Sequence, residues 1–125
     1  MFSKAMRSYE AGIKATATGR ELEAAALFKA ARLLESCRDA WAAPDHAAKL
    51  DEALRYNQRL WTIFQVELQR PDHDLPNELR LNLLRLSAFV DRRTFDLISE
   101  PAPEKLDALI GINRNIASGL SAIAA

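Results

Sequence analysis

Apolar positions recur at helical spacing along most of the chain. Leu27, Ala31, Leu34, Cys37 and Trp41 fall on one face of a helix, with Arg32, Glu35, Arg38 and Asp39 mostly off it. Thr18-Gly19-Arg20-Glu21 has the form of a capping box, which predicts that this helix starts at Thr18. Ala42-Ala43-Pro44-Asp45 ends it, and Pro44 can open the next helix. From Asp45 to about Gln69 the pattern tightens: Leu50, Leu54, Asn57, Trp61, Phe64 and Leu68 alternate steps of four and three, a heptad-like seam with one polar member. Ala53, Leu60 and Ile63 widen that face, so this helix is expected to have neighbours on two sides.

Arg70-Pro71-Asp72-His73-Asp74-Leu75-Pro76 is turn chemistry. A third helix is predicted from Pro76 to Ser99. Leu79, Leu83, Leu86, Val90 and Leu97 form one stripe on it, and Leu84, Ala88, Phe95 and Ile98 a second. Two apolar stripes predict a place at the centre of the bundle. Glu100-Pro101-Ala102-Pro103 stops this helix. A last one runs from Pro103 to about Ile123, with Leu106, Leu109, Asn113, Ile116, Leu120 and Ile123 as its seam.

Four helices joined by short proline-containing turns predict an all-α, antiparallel bundle. Residues 3–17 are helix-compatible but weakly patterned and interrupted by Gly12, so residues 1–17 are expected to form an arm, either a loosely held helix or a mobile segment, and residues 18–125 the helical domain. Composition agrees with helix: alanine and leucine dominate, while Val, Thr and Tyr are scarce.

Charge and chemistry narrow the function. Seventeen basic residues balance seventeen acidic ones, which argues against nucleic acid, since phosphate binding needs a cationic surplus. No run is long and apolar enough for a signal peptide or a membrane span, so a cytoplasmic location without membrane insertion is expected. The lone Cys37 sits on an apolar stripe and reads as a core residue. His46 and His73 lie in turns and read as solvated. No metal-ligand spacing, phosphate loop or nucleophile motif occurs, so no catalytic residue, metal or cofactor is expected and the chain is read as no enzyme. Asp51 with Arg55, and Arg92 with Asp96, are spaced as ordinary surface ion pairs.

Three features leave alternatives open. Asn57 and Asn113 each interrupt an apolar seam, either to fix register through a buried amide pairing or to hydrogen-bond a peptide in a groove. Asp91-Arg92-Arg93-Thr94-Phe95 sets two arginines beside an aromatic: a solvated face, a structural arginine at a helix end, or a contact patch.

Three segments resemble one family. They are Leu50-Asp51-Glu52-Ala53-Leu54-Arg55-Tyr56-Asn57-Gln58-Arg59-Leu60-Trp61-Thr62-Ile63-Phe64-Gln65; Leu75-Pro76-Asn77-Glu78-Leu79-Arg80 continuing to Phe89-Val90-Asp91-Arg92-Arg93-Thr94-Phe95; and Ile112-Asn113-Arg114-Asn115-Ile116-Ala117-Ser118-Gly119-Leu120. In order and spacing they resemble FlaF, the flagellar biosynthesis regulator of alphaproteobacteria, from about residue 20 onward. The resemblance implies a small helical protein needed for flagellin production and export. It would bind flagellin before secretion and act with a partner, FlbT, that affects flagellin translation. The expected function is therefore a flagellin-binding export chaperone that regulates flagellin synthesis. The alternatives are a regulator of flagellin mRNA acting through FlbT, and an assembly protein of the flagellar base. Asn57, Trp61, Phe64, Arg92, Arg93, Phe95, Asn113 and Arg114 are the candidate protein-binding residues. A bundle with an apolar groove can seat a helix-forming flagellin segment, whose folding on binding keeps the complex reversible.

Overall fold

The computed structural model describes the backbone of residues 9–124 and the side chains of residues 19–123. Among the described residues four helices follow one another: α1 (Tyr9–Asp39), α2 (His46–Leu68), α3 (Asn77–Ser99) and α4 (Leu106–Ala124), with a 3-10 turn at Pro103–Lys105 leading into α4. The proline-containing breaks fall where turn chemistry places them. Pro76 takes an extended backbone (φ −55°, ψ 145°) and its carbonyl accepts the Arg80 N–H at 2.9 Å, which starts α3. Pro103 occupies the first position of the 3-10 turn after the extended Ala102.

Neighbouring helices run antiparallel, and cross-links show the register. Arg38 pairs with Asp107 at 3.0 Å and Arg114 pairs with Glu35, so α1 and α4 advance in opposite directions. Gln65 Nε2 donates to Asp91 at 2.8 Å, and Arg80 donates to the Leu68 carbonyl at 2.8 Å, which registers α2 against α3.

The core is built mainly by α1 and α4, whose contact is the most extensive in the molecule. Ala24, Ala30 and Ala31 on α1 and Ala117 on α4 are buried among Leu27, Leu34, Leu106 and Leu109. Small side chains on facing rows let two helices approach closely, and the leucines fill the space beside them. Helix α2 adds Leu50, Ala53, Leu54, Trp61 and Leu68, and α3 adds only Val90 and Leu97 as fully buried apolar residues.

Two expectations are corrected. The helix predicted to begin at Thr18 runs on from Tyr9, so the Thr18–Glu21 motif lies within α1. Threonine followed three residues later by glutamate is also ordinary helical spacing. Nothing between Tyr9 and Thr18 forbids a helix, because a helical glycine costs only about 1 kcal/mol. Residues 1–8 of the expected arm lie outside the described residues. The second correction concerns α3, which is not the centre of the bundle. It packs chiefly on α2 and only lightly on α4, and its second stripe is uncovered: Ala88, Phe95 and Ile98 are exposed and Leu84 is half-buried. Periodicity identifies an apolar stripe without saying whether the same chain covers it.

Candidate functional site

The eight candidate residues separate into three groups. Asn57, Trp61 and Asn113 lie inside the bundle, at 0%, 1% and 0% exposure. The Trp61 indole N–H donates to Asn113 Oδ1 at 2.9 Å, and Asn113 Nδ2 donates to Asn57 Oδ1 at 2.7 Å. An indole can only donate, so the direction of the whole relay is set by Trp61. Asn57 Nδ2 ends it and meets no acceptor among the described residues. One side chain of α4 is thereby tied to two side chains one turn apart on α2. This is the buried amide pairing of the register reading, closed within the bundle.

Phe64 stands edge-on to Trp61, with ring centroids 5.6 Å apart and planes at 89°. Both line a narrow cleft of about 40 Å³ together with Leu68, Leu75, Leu83 and Leu120. Arg20 and His73 stand at the same cleft. Arg20 reaches from α1 to Asp74 at 2.5 Å and to Glu23 at 3.1 Å, tying the α2–α3 turn to the first helix. Burial works against its charge, but the bonds to Asp74 and Glu23 outweigh it and hold its pKa above the ordinary value. His73 Nδ1 accepts the Leu75 N–H at 3.2 Å, and its side chain is only 8% exposed.

Arg93 and Arg114 are committed to the fold. Arg93 donates to the Lys105 carbonyl at 3.1 Å and lies over the Phe89 ring at 5.3 Å. It thereby ties α3 to the turn that opens α4. Arg114 makes a two-pronged pair with Glu35 of α1. Of the three readings left open for the Arg92-Arg93 pair, Arg93 takes the structural one.

Arg92 and Phe95 remain at the surface. Phe95 is 71% exposed and Ile98 61%, and on α2 Ile63 and Val66 are each 60% exposed. Arg92 has no acidic partner among the described residues. The Asp96 expected to pair with it instead takes Lys105 at 3.2 Å, whereas Asp51 does pair with Arg55, at 2.8 Å. The exposed apolar residues Ile63, Val66 and Ile98 were not among the sequence candidates. Their apolar character was visible, but the absence of a covering helix was not.

The histidines differ from expectation. His46 opens α2 and packs on Trp41 at 4.4 Å between centroids, with its Nε2 buried and unpartnered among the described residues. His73 is half-buried in the α2–α3 turn, with its ring turned inward as described above. Neither is a solvated turn residue. Cys37 is buried, and that burial raises its thiol pKa above the ordinary value. Among the described residues no cluster of three or more His, Cys, Asp or Glu could hold a metal ion, and no helix is long and apolar enough to cross a membrane.

No curated protein and no solved structure matches the chain. A family model does: that of the flagellar protein FlaF matches residues 5–120, reaching well upstream of the segments that carry the resemblance. The match covers nearly the whole chain and includes the α2 and α4 segments that carry the amide relay and the exposed part of α3. The chain belongs to the FlaF family of flagellar proteins.

Proposed function

We propose that this protein binds flagellin before export and links its supply to its synthesis, acting as a chaperone without enzymatic activity, metal or cofactor. Membership of a flagellar family supplies the context. The observation that carries the reading is the uncovered apolar stripe of α3, where Phe95 and Ile98 stand in solvent on a helix with little packing beyond α2. Large exposed apolar side chains at helical spacing mark surfaces that meet a partner. An amphipathic helix laid against an apolar helix surface is a recurring way a bundle recognises a helix-forming segment. Flagellin ends that stay unfolded until the filament assembles are cargo of that kind, and ordering them on binding keeps the complex weak enough to release.

FlbT is the second proposed partner, through which bound or free cargo would be reported to translation. Direct contact with flagellin mRNA has poor support, because the chain carries no net positive charge and, among the described residues, only one of the exposed large hydrophobic residues, Phe95, is aromatic. Size-exclusion chromatography of the purified protein mixed separately with flagellin and with FlbT tests the reading. A flagellin complex is expected, and it should be absent with flagellin that lacks both terminal segments. Elution of flagellin and this protein as separate species would remove the proposal.

A further inference from the structure

The exposed stripe of α3 has charged borders. Arg85 and Arg92 are seven residues apart, as are Ala88 and Phe95, so helical periodicity lays an arginine row beside the apolar row. The Gln65–Asp91 bond registers α2 antiparallel to α3. On α2, Arg59 and Val66 are seven residues apart and so share one face, and both are exposed beside that seam. All of these except the small Ala88 are long or bulky, and all are exposed.

Arginines predominate on this rim: Arg59, Arg85 and Arg92 stand beside the carboxylate of Asp91. Arg59 and Arg92 form no ion pair among the described residues, and Arg85 bonds only the neutral Asn82. The acid on the rim, Asp91, is engaged by Gln65. Elsewhere in the protein arginines close cross-links: Arg20 with Asp74, Arg38 with Asp107, Arg114 with Glu35. Cations left without partners beside an uncovered apolar row call for acids from outside.

We infer that the outer α2–α3 seam docks an amphipathic helix whose apolar row is flanked by acidic side chains. The apolar row packs along Ala88, Phe95 and Ile98, and the acids reach Arg59 on one side and Arg92 on the other. Arginine suits both tasks, since its stem covers apolar surface while its guanidinium forks onto a carboxylate. This deepens the flagellin reading by giving the cargo a seat and a chemistry, and it rests on that reading only for the partner's identity.

The test uses the full chain and a stapled helical peptide with a leucine row flanked by glutamates, beside the same peptide with lysines in their place. The glutamate peptide should bind at least about tenfold more tightly. That preference should vanish in the double variant R59E/R92E. Binding of either peptide should be lost in F95S/I98S, with circular dichroism and melting unchanged. Equal affinity for the two peptides, or unchanged binding by F95S/I98S, would overturn the proposal. So would a wild-type dimer that F95S/I98S converts to monomer and that excludes the glutamate peptide, since a second copy would then cover the seam. Cognate flagellin is titrated on the same variants. If it ignores the wild-type protein while the peptides discriminate, the flagellin reading fails and the seam stands. If it binds F95S/I98S as tightly as wild type, the seam is not the cargo's seat.

Discussion

Asn113 receives the indole N–H of Trp61 at 2.9 Å, and this one bond orients every amide in the core. With its oxygen taken by Trp61, Asn113 must point its nitrogen at Asn57. Removing Asn113 then strands a buried indole donor and a buried carbonyl. Removing Asn57 strands only one donor, because the Asn57 amide nitrogen is already unpartnered among the described residues. Asn113→Leu is expected to cost about 2–4 kcal/mol and Asn57→Leu clearly less. Urea unfolding of the two single variants and the double variant checks this, and the cycle should show a coupling of about 1 kcal/mol. Equal costs for the two single variants would contradict the directed relay.

Neighbouring arginines should behave differently. Arg93 bonds the Lys105 carbonyl, so Arg93→Ala should lower stability by about 1 kcal/mol. Arg92 touches no acid among the described residues, and Arg92→Ala should leave the melting temperature unchanged while weakening cargo binding. Thermal melting beside an affinity measurement separates the two roles.

Gly119 is helical, exposed and not in the left-handed region, and a methyl group added there meets nothing within 4 Å. Gly119→Ala should therefore stabilise the protein by about 0.5–1 kcal/mol, read as a rise in melting temperature.

Burial raises the Cys37 thiol pKa. The unfolded chain therefore ionises first as pH rises. The stability associated with the protonated thiol is fully present below the unfolded pKa. It declines from there as pH climbs toward the folded value. Cys37 should accordingly react far more slowly with a thiol reagent in the native protein than in urea at the same mildly alkaline pH. Equal rates would show that the site is open.

The boundaries of α2, α3 and α4 were legible because prolines and turn residues punctuate them, and local sequence decides such breaks. The start of α1 was not, since Thr18 and Glu21 suit a cap and a helix interior equally. A polar member in each of two seams was visible at Asn57 and Asn113. That they face each other, 56 residues apart, depends on how α2 and α4 pack. The roles of Arg93 and Arg114 were hidden for the same reason: their partners lie 12 and 79 residues away. The second stripe of α3 was read correctly as apolar and wrongly as central, because a stripe for the core and a stripe for a partner have the same spacing.

The central claim is that this stripe serves a partner and not the fold, and Phe95 tests it most directly beside the fully buried Leu97 two residues on. Leu97→Ala should cost about 2–5 kcal/mol. Phe95→Ser, measured for melting temperature and for affinity to cognate flagellin, should melt as wild type does and bind at least about tenfold more weakly. A Phe95→Ser protein that melts early, or that binds flagellin as tightly as wild type, would contradict the account.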